Sequence, residues 1–309
     1  MRQCTMAGMD SLPEWNDLRV FLAVARLGTI SLAGERLGIE HSTVSRRIDR
    51  LESDLGVVLF DRRRTGYSLT EVGQALIPYT ERMESALLQA VEASAGLGVR
   101  VEGPVRVGTP EALGIFVLAP SLEKLHGEHP GLHVQLMAQS QFPSLVTREV
   151  EILVTLDPPE IGRYKVARLT EVDYSLYCSP EYRDAHPPIR ELSDLAQHRF
   201  VDYIHDGSLS GHFRIVEDLT PRPTRSFTST SVLAQRAAAA AGMGLVALSP
   251  FVADQGGDLV CVFPGKALLT RTLWIAAPED LLRIKRIRVV WDHIRQVVEQ
   301  RPERFHRYG

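Results

Sequence analysis

Residues 18 to 73 set out two short helical patterns, a third helix, a basic hairpin and the start of a long helix, and that order leaves few folds open. Leu18, Phe21, Leu22 and Ala25 fall at the i, i+3, i+4, i+7 spacing of a buried helical stripe, and Gly28 supplies the left-handed position that ends it. Ser31 is expected to cap a second helix, with Ala33 and Leu37 facing inward and Gly38 closing it. The connection to the next helix is Ile39-Glu40-His41.

The third helix, from about Ser42 to Leu55, turns Val44, Ile48, Leu51 and Leu55 inward. Ser42, Thr43, Ser45, Arg46, Arg47 and Arg50 are left on the other surface, short polar groups first and guanidinium groups further along. A helix that enters a major groove is built this way: small or planar side chains reach base edges, and arginines hold the flanking phosphates. Asp61 to Leu69 reads as strand, Gly-containing turn and strand, with Arg62, Arg63 and Arg64 suited to a wing on the sugar-phosphate backbone. Residues 11 to 75 hold nine Arg against nine Asp and Glu, and the whole chain has net charge -3, so it is no general polyanion binder. Affinity must come from placement. Residues 44 to 64 hold six of those Arg against four acids, a locally positive field where helix and wing meet DNA.

These residues resemble the LysR-type transcriptional regulators. The resemblance is carried by Phe21 to Ala25, Gly28-Thr29-Ile30-Ser31, Leu37, Val44 to Glu52, Leu55-Gly56, Leu59 to Arg62 and Leu69 to Gly73. Ile30 departs from the aromatic usual in the family, and Gly34 from a usual alanine. Gly34 is expected to weaken its helix by roughly 1 kcal/mol relative to Ala. The DNA-contacting set expected here is Ser31, His41, Ser42, Thr43, Ser45, Arg46, Arg47, Arg50, Arg62, Arg63 and Arg64.

Beyond Thr70, apolar or small residues recur at Val72, Leu76, Tyr79, Met83, Ala86, Ala90 and Ala93, a heptad seam that buries itself best against an identical helix. Pro78 is expected to kink that helix or cost it a hydrogen bond. The resemblance implies a linker helix pairing two subunits, whose two heads match an inverted repeat in double-stranded DNA. It also implies pairing of dimers into a homotetramer and contact with RNA polymerase.

The remaining 200 or so residues alternate strands with helices, which favours parallel sheets covered on both faces. Expected strands are Val105 to Val107, His133 to Met137, Ile152 to Leu156 and Arg271 to Ala276. Helices are expected at Leu118 to His126 and along the stripe Ile284, Ile287, Trp291, Ile294 and Val298, with a short helical piece at Leu145 to Arg148. Similarity to the family continues through Arg148 to Ile152, where Glu151 stands for the usual Asp, through Tyr174 to Tyr182, and through Ala240 to Pro250. The implied fold is an N-terminal all-α winged helix-turn-helix followed by an α/β body of two Rossmann-like lobes of the periplasmic-binding-protein type II kind. The expected organisation is a tail over 1–12, the winged domain over 13–69, the linker helix over 70–96, a hinge over 97–104 and an effector-binding domain over 105–309. Its first lobe takes 105–169 and 270–300, its second 170–269.

Clefts between such lobes are lined by loops at the strand C-termini. That points to Thr109, Pro110, Glu111, Gln139, Ser140, Phe142, Thr155, Tyr203 and Thr230 as effector-binding residues. Each of these is equally suited to a satisfied turn or cap. An unpaired Glu111 would disfavour an anionic effector, whereas neutralisation by Arg148 or Arg168 would remove that preference.

Enzymatic signals fail on context. Gly242-Met243-Gly244-Leu245-Val246-Ala247 fits G-x-G-x-x-A, but it follows an alanine-rich helix and precedes a strand, the reverse of the order a pyrophosphate site needs. His126, Glu128, His129 and His133 share no helical face across Pro130-Gly131. Cys4, Cys178 and Cys261 form no framework of pairs, and Cys178 and Cys261 read as ordinary small residues in apolar strands rather than redox sensors. No secretory signal and no run of 18 apolar residues occurs. The expectation is a cytoplasmic regulator that is not an enzyme, carries no cofactor or metal, and senses a small molecule between its lobes. A solute-binding module without regulatory DNA binding is the competing reading, and an enzyme bearing a DNA anchor is a third.

Overall fold

The computed structural model describes residues 12–63, 66–94, 101–138, 145, 148–159, 162–204 and 214–306. They form two compact units, Met1–Val99 with Val146–Arg148, and Arg100–Leu145 with Glu149–Gly309.

In the first unit, α1 (Trp15–Leu27) ends where the Gly28 amide, at φ 73°, donates to the Val24 carbonyl. The second helix, α2 (Ile30–Leu37), is capped by Thr29, whose hydroxyl accepts from the Leu32 amide, so the expected cap at Ser31 is displaced into the first turn. Either hydroxyl suits the role. Thr29 takes it because its own backbone is extended, as a cap residue requires, whereas Ser31 is already helical. The third helix, α3 (His41–Leu55), starts one residue before Ser42. Phe21, Leu22, Val24, Ala33, Val44, Ile48, Leu51, Leu59 and Phe60 make one core. Leu55 is a correction: it stands exposed in the last turn instead of continuing the stripe.

Gly34 has a packing reason. A Cβ there would lie 2.7 Å from the Ile39 carbonyl oxygen, because the chain folds back directly after α2 and the Ile39 amide bonds the Gly34 carbonyl. The helix-propensity gain of about 1 kcal/mol for alanine is therefore opposed by an overpacking cost of about 1–3 kcal/mol. Gly34→Ala is expected to lower the unfolding temperature, and a rise on thermal denaturation would show that the loop gives way freely.

The wing pairs β1 (Phe60–Arg63) with β2 (Gly66–Leu69) antiparallel, Phe60 opposite Leu69 and Arg63 opposite Gly66. It is tied back to α1 by the Tyr67 amide, which donates to the Gly28 carbonyl at 2.7 Å. Gly66, at φ 136°, permits this approach, since a Cβ would fall 2.5 Å from that same oxygen. The long helix α4 (Glu71–Ser94) runs through Pro78 as one continuous helix. Thr70 anchors its start: the hydroxyl accepts from the Gly73 amide and donates to the Val58 carbonyl.

In the second unit, β3 (Gly103–Thr109) leads into α5 (Glu111–Leu113), a π-helical turn at Gly114–Leu118 and α6 (Ala119–Glu128). Then come β4 (Leu132–Ala138), β5 (Ile152–Thr155) and the fifteen-residue β6 (Tyr164–Cys178). The chain continues through α7 (Pro180–Ala185), β7 (Arg199–Asp202), α8 (Ile215–Leu219), β8 (Thr224–Thr228), α9 (Val232–Ala240) and β9 (Leu245–Leu248). It finishes with α10 (Pro250–Ala253), β10 (Val260–Cys261), β11 (Leu269–Pro278) and α11 (Lys285–Glu299). The strand order is β4-β3-β5-β11-β6-β9-β7-β8, with β10 on β6.

Each lobe thus has three parallel strands, β4-β3-β5 or β9-β7-β8, and the antiparallel pair β6 and β11 runs through both. The sheets are mixed rather than purely parallel, because the chain leaves and re-enters the first lobe on those two long strands. Ile284, Ile287, Trp291, Ile294 and Val298 are all buried, as the α11 stripe requires. Glu151 joins β3 to β5 by accepting from the Arg106 amide at 2.6 Å, and its burial pushes the carboxyl pKa up. The helical piece expected at Leu145 to Arg148 is a correction: Arg148 has φ 49°, a left-handed conformation that no helix continues, and Val146 and Thr147 lie outside the described residues.

Candidate DNA-reading face and effector cleft

The first turns of α3 present His41 and Ser42 exposed and Thr43 and Ser45 half-buried, while Val44, Ile48 and Leu51 anchor the helix beneath them. Beyond them the arginines separate into two groups. Arg46 and Arg63 are exposed and make no hydrogen bond or ion pair with the described residues. Arg47 and Arg50 instead converge on Asp17 of α1, which is fully buried: Arg47 Nη1 donates at 3.1 Å, Arg50 Nε at 2.5 Å and Arg50 Nη2 at 2.8 Å. Arg50 also reaches Glu14. Arg62 donates to Asp49 at 2.5 Å and Glu52 at 3.1 Å and stacks over the Tyr67 ring. Ser31 is exposed in α2, and Arg64 lies outside the described residues.

Asp17 and Glu52 were not singled out from the sequence. Glu52 accepts from the Leu59 and Phe60 amides at 2.7 and 3.1 Å and so fixes α3 to the wing. The signal for Asp17 was present: it lies three, four and seven residues before Val20, Phe21 and Val24, on the buried face of α1. A carboxylate on such a face needs cationic partners.

In the second unit a cleft runs between the lobes, with a small internal volume of about 50 Å³, space for a few waters. Pro110, Glu111 and Tyr203 line it, as do Tyr174, Ser249 and Phe251: Tyr174 lies within the crossing strand β6 and Phe251 in α10, away from strand ends, whereas Ser249 stands directly after β9 and was missed at a strand end. Burial pushes the Tyr174 phenol up to about 12, and burial, helped by Tyr174 and the carboxylates of Glu111 and Asp202, pushes Tyr203 well above its usual value. Both remain neutral phenols at ordinary pH.

Thr109 and Thr155 are buried and serve their own turns: the Thr109 hydroxyl donates to the Pro110 carbonyl, and Thr155 donates to the Asp157 carbonyl and accepts from its amide. Thr230 is exposed in the turn before α9 and is not part of the cavity wall. Gln139, Ser140 and Phe142 lie outside the described residues. Glu111 is a correction: it is not unpaired, and neither Arg148 nor Arg168 neutralises it. Its Oε1 accepts from the Ser231 hydroxyl and its Oε2 from the Val232 amide, both at 2.9 Å. Arg148 pairs with Glu81 and Glu84 inside the first unit, and Arg168 pairs with Glu171.

Elsewhere, Gly242 and Gly244 stand between the end of α9 and the start of β9, and a Cβ at Gly244 would lie 2.5 Å from the Arg199 carbonyl, so this glycine serves strand packing. Burial pushes the Cys178 thiol up to about 11, away from the thiolate form a reactive cysteine needs.

A winged helix-turn-helix followed by a long helix and a two-lobed α/β body with an internal cleft defines a ligand-responsive DNA-binding regulator. Residues 15–74 match the bacterial regulatory helix-turn-helix protein model of the lysR family, and residues 98–299 match the LysR substrate binding domain. The chain belongs to the LysR family of transcriptional regulators. It is similar to the HTH-type transcriptional regulator CrgA of Neisseria meningitidis serogroup C, 27% identical over 241 residues that cover 77% of this chain and 80% of CrgA. It is also similar to the HTH-type transcriptional activator TtdR of Escherichia coli K12, 26% identical over 302 residues, 95% of this chain and 96% of TtdR. The crystal structure of ArgP from Mycobacterium tuberculosis has the same fold, with a TM-score of 0.67 at 21% identity over 93% of this chain and 97% of that one. Among the described residues no helix is long and apolar enough to cross a membrane.

Proposed function

We propose that this regulator reads an inverted repeat with the exposed side chains of His41 and Ser42 and the half-buried Thr43 and Ser45, while Arg46 and Arg63 hold phosphates on either side. The observation that carries this assignment is that Arg46 and Arg63 are exposed and unengaged within the described residues, whereas Arg47, Arg50 and Arg62 are committed to Asp17, Asp49 and Glu52. Ser31, exposed in α2, and Arg64 are further DNA-backbone contacts of this reading. Two copies pair through α4, and dimers assemble into a tetramer that contacts RNA polymerase in the cytoplasm. The winged domain takes 13–69, the linker 70–96, the hinge 97–104 and the effector-binding domain 105–309, its lobes divided at 169 and 270. The effector enters between the lobes beside Pro110, Glu111 and Tyr203, and Gln139, Ser140, Phe142 and Thr230 are further effector-binding residues of this reading. The cleft binds and does not turn its ligand over.

Footprinting on the DNA upstream of the regulator's own gene, with a salt series, tests the reader. Each lost phosphate contact removes about 0.9 from the slope of log K against log salt. Arg46→Ala and Arg63→Ala are each expected to shallow the slope by that amount on every sequence tested. Exchanges at Ser42 or Thr43 are expected to change the preferred sequence at constant slope. An unchanged slope in both arginine variants would end the phosphate assignment.

A further inference from the structure

The Glu111 carboxylate projects from the first lobe onto the start of α9 in the second. The carboxylate takes one hydrogen bond from the α9 cap, Ser231, and one from the first free amide of the helix, Val232. Ser231 itself accepts from the Ala234 amide, so its proton is directed to Glu111. A helix start with a free amide, a helix dipole and a cap hydroxyl is the arrangement that holds an anionic group in a cleft. Here the protein fills it. The rest of the wall is apolar, apart from Ser249 and two neutral phenols, and the remaining space is about 50 Å³.

We propose that Glu111 is the specificity-determining residue of the cleft: it occupies the anion position with the protein's own carboxylate, ties the lobes together, and restricts the cleft to uncharged or cationic molecules. A carboxylate ligand gains entry only by displacing Glu111. The inference rests on the reading of this cleft as the effector site, but the contact between the lobes is tested without knowing the effector.

Replacing Glu111 by Ala deletes a fragment with the heavy atoms of acetate, which makes acetate the probe. In the full-length protein Glu111→Ala is expected to lower Tm by about 4 °C, the scale set by losing two charge-assisted hydrogen bonds in a body of this size. Acetate should restore Tm along a saturating curve. Acetamide, of the same shape without the charge, and chloride at equal ionic strength should not. Wild type should show no saturable response to acetate. An equal response of variant and wild type, or equal rescue by acetamide, would overturn the proposal.

If Glu111→Ala does not fold, Glu111→Gln decides the same point, because it keeps the size, leaves the Ser231 cap in place and removes the charge: a lowered Tm supports the tie, and an unchanged Tm removes it. Gel shift of Glu111→Ala on the footprinted DNA separates the two readings. Retained DNA binding without acetate rescue defeats the cleft proposal alone, and lost DNA binding in a wild-type control defeats the reader.

Discussion

Asp17→Asn is expected to lower the local stability of the DNA-binding unit by about 3 kcal/mol, although it changes one atom on a residue that touches no DNA. The fully buried Asp17 carboxylate accepts three hydrogen bonds from Arg47 and Arg50. An amide offers one acceptor in place of two and turns an NH2 group toward guanidinium donors, which leaves a buried donor facing other donors. The arginines are half-exposed and can rehydrate, so the penalty falls on the α1 position itself. Hydrogen exchange over residues 15–55 of the full-length protein measures it, since opening of α1 and α3 exposes their amides. The arginine side gives a second readout. Arg50→Ala leaves the Asp17 charge to Arg47 alone and should weaken the unit in the same direction, yet leave the salt slope of DNA binding where it was. A shallower slope for Arg50→Ala would return that residue to the phosphate-contacting group.

This pairing also marks the limit of what the sequence could disclose. The helix order, the α3 stripe of Val44, Ile48 and Leu51, and the α11 stripe were legible because periodicity is local and burial follows it. The charge of an arginine is local as well, but its partner is not. Arg46 and Arg47 are adjacent in sequence, and their different surroundings depend on which of them faces Asp17, thirty residues before Arg47. Thr29 and Ser31 are both able to cap α2, and only the backbone conformation before the helix chooses between them. Gly34 looks like a weak helix residue until the Ile39 carbonyl is seen beside it. In the cleft, strand ends gave Glu111 and Tyr203, but its partner Ser231 stands 120 residues after Glu111, and Tyr174 belongs to a strand that crosses both lobes. Thr109 and Thr155 were drawn in by the same rule, and their hydroxyls are spent on their own turns. Local pattern therefore located the elements, whereas the partner of each polar group depended on the tertiary fold.

Met83→Glu is expected to split the regulator into single chains and to lower affinity for the inverted repeat by about 10²–10⁴-fold, the avidity gained when a second head binds intramolecularly. The reason lies in the exposure pattern of α4. Its hydroxyl residues Thr80 and Ser85 are each 1% exposed, while Tyr79 is 61%, Met83 47% and Val91 60% exposed. Leu76 and Ile77 pack on the core of the first unit, so the helix already has an inward apolar side and exposes a second apolar stripe besides, which a solvated helix does not do. Val72, Tyr79, Met83, Ala86 and Ala90 of the heptad seam are exposed, and Leu87 and Val91 widen it beyond the positions the repeat picked out. The side chain of Ala93 lies outside those described. Such a stripe is covered when a second α4 packs on it, and a carboxylate at Met83 would then be buried against apolar neighbours or a second carboxylate. Sedimentation should give a single-chain mass for the variant, with binding to an isolated half-site unchanged because α3 and the wing are untouched. Retention of the wild-type mass and of full affinity for the repeat would place the pairing surface elsewhere than on this stripe.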